Sequence, residues 1–371
     1  MHISVTPAAS PKEMAEFIRF PLRLYAGDPN FTPHLVLERK EFFSAKNPIF
    51  QFTDVIYLLA RDEGGNVVGR VTAHVNRRHN EHTGEKTGFF GFFECVEDIE
   101  AARPLLESAE AWLRQRGMTH IRGPFNFSTN EECGFLAEGF DTPNVIMMPY
   151  TMRYYLDHMA QLGYAPVKDL YAFRYDYQGA IPEYLERIGK RVIERTGVTV
   201  RIIDMRRFEE DVARAFEIYN SAWAENWGFV PMTTDEFRYA AKALRPVIDP
   251  EVVIIIEKDG EPIAFSLSLP DYNVLLRKAK GRLLPLGWWH LLTGRRCIHR
   301  VRVITLGVVK QYRRQGLDVV LYYETFRRGV PRGYFSCEMS WILEDNVLMI
   351  RALERFGSVR EKTYRLFEKP L

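Results

Sequence analysis

Two stretches of the chain carry the same alternation of apolar and polar positions. Residues 55–75 (VIYLLARDEGGNVVGRVTAHV) set two β-branched runs around Glu63-Gly64-Gly65-Asn66. Residues 252–269 (VVIIIEKDGEPIAFSLSL) do so around Asp259-Gly260. Each predicts a β-hairpin with one buried face. After the first, apolar residues at helical spacing predict a helix from Asp98 to Gln115. A strand at His120-Ile121-Arg122 follows, then a helix from Tyr154 to Leu162 that Gly163 ends. After the second hairpin come a strand over Val301–Val309, a helix beyond Gly316, a strand through Phe335–Trp341 and a helix opened by Asn346. The ends match as well, since Gly163-Tyr164…Tyr171-Ala172-Phe173 mirrors Gly357-Ser358…Arg365-Leu366-Phe367. A repeat of about 180 residues is a domain duplication rather than a solenoid. The expected fold is α/β, with a mixed sheet flanked by helices in each half. The expected domains are 1–180 and 190–371, joined near Tyr177–Arg191.

The second half carries a chemistry. The apolar strand runs into Arg313-Arg314-Gln315-Gly316-Leu317-Asp318, and a helix begins there. Such a turn presents several N–H groups at once, the helix end adds partial positive charge, and Gly lets the backbone close on an anion. The equivalent place in the first half reads Glu94-Cys95-Val96-Glu97-Asp98-Ile99-Glu100, without a glycine or a cation. Its carboxylates would repel a phosphate. The first domain is therefore expected to be a degenerate half, structural or acceptor-binding.

Arg313-x-x-Gly316-x-Asp318 resembles the acyl-CoA pyrophosphate loop of the GNAT N-acyltransferases, with Asp318 where a small residue is usual. Asn346-x-x-Met349-x-x-Ala352-Leu353-Glu354-Arg355-Phe356-Gly357 is similar to that family's second motif. There Leu353 stands where many members carry a tyrosine that protonates the departing thiolate. The resemblance spans roughly residues 205–371 and implies two tandem GNAT-like domains, the second binding acyl-CoA. It implies CoA contacts from Arg313, Arg314, Gln315, Gly316, Leu317 and Asp318, and from Asn346 besides its plain role as helix cap. It also implies a main-chain N–H from the end of the fourth strand, at Leu306, Val308 or Val309, that polarises the acyl carbonyl.

Acyl transfer to an amine also needs a base, since neutralising an amine of pKa near 10 at pH 7 costs roughly 4 kcal/mol. Strand alternation puts Ser336, Glu338 and Ser340 on one face, which makes Glu338 the candidate base and Ser340 a neighbour on the proton path. The alternative is a Glu338 that pairs with an arginine. Tyr364, on the last strand, is the candidate acid, with packing as its alternative. The run Tyr219–Gly228 offers Trp223, Glu225 and Asn226 as acceptor contacts. The polar segment Gly123–Glu131 offers Asn126 and Asn130, or else a turn held by its own side chains.

Residues 272–302 contain no acidic side chain. Arg277, Lys278, Lys280, Arg282, Arg295, Arg296, Arg300 and Arg302 bracket a Leu/Trp centre from Leu283 to Leu292. A basic rim around such a centre suits an anionic membrane surface. The same residues would equally suit an inter-domain hairpin. With the tandem layout, the segment resembles the bacterial ceramide-synthase-type enzymes, which N-acylate a long-chain sphingoid base. The implied acceptor is a lipid amine. A small soluble amine or peptide, and a non-catalytic acyl-CoA-binding protein, stay open as alternatives. Aminoacyl-tRNA-dependent ligation is a further one, and the modest charge counts against it.

Composition changes little. A formal net charge of +2 over 371 residues argues against a nucleic-acid partner. Cys95, Cys133, Cys297 and Cys337 lie far apart without metal spacing, so no metal is expected. The N-terminal residues lack a signal-peptide pattern, and no apolar run approaches a membrane span. A cytoplasmic protein is expected, with peripheral contact at the inner face of the membrane if the 272–302 reading holds.

Overall fold

The computed structural model describes residues 3–282 and 287–371. Leu283, Leu284, Pro285 and Leu286, part of the expected Leu/Trp centre, lie outside the described residues. The first part of the chain runs β1 (Ser4–Pro7), α1 (Pro11–Leu24), α2 (Val36–Phe42), β2 (Thr53–Arg61), β3 (Val67–Asn76), α3 (Arg77–Thr83), β4 (Thr87–Cys95), α4 (Ile99–Arg114), β5 (His120–Gly123), β6 (Phe135–Glu138), α5 (Tyr154–Gln161) and β7 (Ala165–Asp176). The rest runs α6 (Glu183–Thr196), β8 (Thr199–Ile202), α7 (Phe208–Trp223), α8 (Thr234–Leu244), β9 (Val253–Lys258), β10 (Glu261–Pro270), α9 (Asn273–Ala279), α10 (Gly287–Thr293), β11 (Arg300–Val308), α11 (Leu317–Gly329), β12 (Ser336–Leu343), α12 (Val347–Arg355) and β13 (Val359–Pro370).

These elements form two compact units. One comprises residues 1–170, 275–291 and 362–371, and the other 171–274 and 292–361. Neither is continuous in sequence, because most of the C-terminal strand and residues 275–291, which include most of α9 and of α10, belong to the first.

In the first unit the strands run β1-β2-β3-β4-β5, followed by the C-terminal part of β13. All the pairs among β1–β4 are antiparallel, whereas β4 and β5 are parallel from Thr87↔His120 to Phe89↔Arg122. One face is covered by α4. Its Ala101, Leu105, Leu106, Ala109 and Leu113 recur at helical spacing and pack on Leu58, Val71, Ala73 and Phe90. Asp98 caps this helix by accepting from the Glu100 N–H at 2.9 Å. The other face is aromatic, with Phe17, Phe20 and Phe42 against Leu59, Phe92 and Phe127. Each such buried side chain is worth about 1.5–3 kcal/mol of burial.

In the second unit the strands run β7-β12-β11-β10-β9-β8. Again one pair is parallel, β11 with β12, from Arg300↔Ser336 to Val303↔Met339. Leu317, Val320 and Leu321 of α11 and Val192 of α6 cover one face over Ile254, Ile256 and Ala264. Ile218, Tyr219 and Trp223 of α7 cover the other over Ile255 and Phe265. The element orders correspond: β2–β3 to β9–β10, β4-α4-β5 to β11-α11-β12, and α5-β7 to α12-β13. The hairpins and helices expected from the sequence are present within a residue or two. The expected joint at Tyr177–Arg191 contains the start of α6, which belongs to the packing of the second unit.

Candidate active site

In the second unit β11 and β12 pair only as far as Val303↔Met339, and beyond it the two strands continue unpaired with each other. At that point β11 carries a bulge, since Leu267 faces Thr305 while Ser268 faces Val303, leaving Ile304 extra. The Val309 N–H donates to Ile263 O at 2.9 Å. Strand alternation then turns the N–H groups of Leu306 and Val308 away from β10, toward the open side. The expected N–H donors are thus reduced by one: Val309 is engaged by β10 and is not available to an acyl carbonyl.

The loop after β11 is shaped for an anion. Arg314 (φ 64°) and Gly316 (φ 85°) are left-handed, and no side chain caps the start of α11 at Gly316. Among the described residues, the main-chain N–H groups from Arg314 to Asp318 donate to no protein acceptor. Such a run of N–H groups at a helix start is a nest for phosphate oxygens. A Cβ on Gly316 would lie 3.0 Å from Val192 Cγ2, so only glycine fits both the dihedral and the space. Arg195 donates to Gln315 O at 2.7 Å, and Arg313 to Ala222 O at 2.8 Å, fixing the loop from both sides. Asp318 is exposed in the first turn of α11. Asn346 caps α12, its side chain accepting from Met349 N at 3.3 Å, and Leu353 is buried in the core.

Glu338 and Ser340 sit where the two strands part. Glu338 is wholly buried and Ser340 is 3% exposed. The Ser340 hydroxyl donates to Glu338 Oε1 at 2.9 Å and accepts from Arg302 Nε at 2.9 Å. Arg300 contacts Glu338 at 3.3 Å and pairs with Glu361, which Arg174 also holds at 2.9 Å. Burial pushes the Glu338 carboxyl above its ordinary value, and Arg300, Arg302 and the Ser340 hydrogen bond only partly oppose this. The arginine pairing expected as an alternative is therefore real, and the carboxyl stays a better base than a solvated one. Ser336, expected on this face, instead donates to Asp176 at 2.7 Å.

The other expected residues are dispersed. Tyr364 belongs to the first unit, wholly buried opposite Leu136 on β6 and under Gly134, the arrangement of its packing alternative. Trp223 ends α7 and lies over Gly307 of β11, where a Cβ would come within 2.5 Å of its ring. Trp227 lies past the helix, so the two tryptophans do not share a helical face as the spacing suggests. Glu225 is paired with Lys310 at 2.9 Å and Arg313 at 3.3 Å, beside the loop. Asn226 makes a main-chain turn with its N–H on Trp223 O. Asn126 and Asn130 lie in the first unit. The Asn126 side chain accepts from Phe92 N at 2.8 Å and donates to Glu132 at 3.0 Å, while Asn130 N donates to Ser128 Oγ at 3.2 Å.

The expected basic rim is smaller than the sequence suggests. Arg300 and Arg302 are drawn into the Glu338 network. Arg277 donates to Thr32, and Arg295 is held by Ile248 O and Asp249. Lys278, Lys280, Arg282 and Arg296 are exposed. Trp288, Trp289 and Leu292 of α10 are exposed at 43%, 53% and 72%. Sequence reasoning missed Arg300 and Arg302 as supports of Glu338; their matching places on parallel strands, two residues apart like Glu338 and Ser340, were the available signal. Among the described residues no group of His, Cys, Asp and Glu is placed to hold a metal. No described helix is long and apolar enough to cross a membrane.

Two repeats of a mixed sheet with one parallel pair that parts at a bulge constitute the tandem GNAT fold. The tandem GNAT protein from the clavulanic acid biosynthesis pathway superposes with a TM-score of 0.59 at 13% identity, over 100% of this chain and 98% of that one. The chain matches no family model. It is 38% identical over 377 residues to the bacterial ceramide synthase of Caulobacter vibrioides, covering 100% of this chain and 98% of that protein. It is also 38% identical over 372 residues to protein YghO of Escherichia coli, covering 97% and 93%. The chain belongs to this family of bacterial ceramide synthase relatives, and it is an N-acyltransferase of the GNAT type.

Proposed function

We propose that the protein transfers a long-chain acyl group from acyl-CoA to the primary amine of a long-chain amino alcohol of the sphingoid type. The observation that carries acyl-CoA use is the run of unengaged N–H groups from Arg314 to Asp318 at the start of α11. These fit a pyrophosphate, with the exposed Arg314 guanidinium adding charge. CoA supplies the acyl group in activated form as a thioester. Leu306 and Val308 N–H groups stabilise negative charge developing on the carbonyl oxygen. Glu338 takes the ammonium proton through the Ser340 hydroxyl, because its own oxygens are shielded from solvent. Arg302 holds that hydroxyl in line. The new C–N bond forms as the C–S bond breaks; the second N–H proton lost by the attacking nitrogen neutralises the departing thiolate, and the proton taken by Glu338 passes to solvent.

The lipid character of the acceptor is supported by the name of the Caulobacter relative and by α10. Exposed Trp288, Trp289 and Leu292, flanked by Lys278, Lys280, Arg282 and Arg296, have the composition of an anchor at an anionic bilayer surface. The domains proposed from the repeat divide this labour, residues 190–371 carrying the CoA loop and 1–180 lacking one. Calorimetry of CoA binding tests the reading. Wild-type protein should bind CoA, and Arg314→Glu, which reverses charge on an exposed side chain without touching the core, should weaken binding at least tenfold. Equal affinity in the two proteins would remove the loop from the account.

A further inference from the structure

The first unit holds a cavity of ≈ 90 Å³, at the place where β4 and β5 part. It corresponds in the repeat to the parting of β11 and β12. A bulge lies here too. Arg70 faces Glu94 while Thr72 faces Gly91, and Phe92 takes φ 46°, left-handed and strained for a phenylalanine. In this unit the Phe92 N–H is taken by the Asn126 side chain at 2.8 Å, so an internal amide oxygen holds a main-chain donor at the bulge. Acyl transfer is thereby disfavoured here, yet the space remains. Several waters' worth of volume is room for a small polar head group.

Its lining is charged but balanced. Arg70, 4% exposed, donates to Glu94 Oε2 at 2.5 Å, and Arg39 donates to Glu132 Oε1 at 3.0 Å. Asn126 donates to Glu132 Oε2 at 3.0 Å. Glu94 Oε1, by contrast, accepts from no described group. Two guanidiniums against two carboxylates disfavour a simple anion, whose charge Glu94 and Glu132 would oppose. An uncommitted carboxylate oxygen seeks an N–H or O–H donor. Phe43 and Phe92 border the same space and offer apolar area to carbon atoms or a ring face to an ammonium.

We infer that this cavity binds the head of an amino alcohol, with Glu94 as the anchoring acceptor. The inference rests on the acceptor class proposed above and adds a site in the unit that lacks the CoA loop. A water-soluble short-chain 2-amino-1,3-diol, titrated into the full-length protein by calorimetry, is the probe. Wild type should bind it, and Glu94→Gln should weaken binding at least tenfold, as expected for a lost charged hydrogen bond. Glu94→Gln also leaves Arg70 without its carboxylate, so a second variant guards against misfolding. Cys133→Met adds volume to a buried cavity-lining side chain and changes no charge. It should exclude the diol while CoA affinity stays at the wild-type value. Wild-type diol affinity in folded Cys133→Met and Glu94→Gln proteins, or no diol binding by wild type, would overturn the site. The CoA titration of the same proteins reports separately on the acyl-CoA reading.

Discussion

On the proposed reading, Glu338 is the general base of the second unit. Glu338→Gln keeps the shape and the Ser340 contact but removes basicity, and turnover should fall about 10²-fold or more, the range typical of a general base. The pH–rate profile checks the assignment. Wild-type activity should rise through the elevated Glu338 value, and the variant should lose that limb. Stability gives an independent sign. A carboxyl raised in the folded state favours folding below its unfolded value and loses that advantage as pH rises through the folded one. The melting temperature of wild type relative to Glu338→Gln should therefore decline with rising pH across this window. Histidines work in the opposite sense. Burial lowers His34 and His74 to about 3 from 6.5. Stability they support above pH 6.5 is lost as pH falls toward 3, by about 1.4 kcal/mol per pH unit for each. His74→Phe, placed between Phe89 and Phe127, should flatten the acid limb of a denaturation series. An unchanged limb would mean that His74 is not held neutral.

The loop and α10 are the elements proposed to serve the cofactor and a membrane surface. Gly316→Val puts a branched side chain where φ is positive and Val192 is close. It should lower CoA affinity far more than melting temperature, as read by calorimetry beside thermal unfolding. Asp318→Ala should be neutral or tighten CoA binding, because an exposed negative charge leaves the proposed phosphate site. Trp288→Ala with Trp289→Ala should weaken binding to anionic vesicles in a sedimentation assay without unfolding the chain. That binding should fall with salt, since each exposed cation contributes only about 1 kcal/mol and is screened within about 10 Å. No vesicle binding at low salt would reassign α10 to another surface role. The sequence made these elements legible because hairpin alternation, helix caps and the Gly-containing turn are local signals. It could not show that Val309 spends its N–H on Ile263, or that Arg300 and Arg302 face inward. Those outcomes depend on strand register, which pairs residues far apart in the chain. Trp227 is a similar case, as α7 ends at Trp223 and the helical spacing stops applying.

At the scale of the whole molecule the two units of the duplication are unequal. Both units keep a parallel strand pair that parts at a bulge, but only the second follows it with a glycine and a free row of N–H groups. The repeat was visible in hydrophobic pattern, and so was the loss of the loop from the first half. The cavity of the first unit was not, because its lining comes from segments as distant as Arg39, Glu94 and Tyr150. On the proposed function, the enzyme must also choose its acyl chain. Each buried methylene is worth about 0.8 kcal/mol, so a few extra carbons give tenfold or greater preference. The most direct test is a mass-spectrometric assay of the purified protein with a sphingoid-type amine and either palmitoyl-CoA or acetyl-CoA. The account predicts an N-acyl amide formed at least tenfold faster from palmitoyl-CoA, and abolished in Gly316→Val. Equal use of acetyl-CoA, or no amide from either thioester, would contradict it.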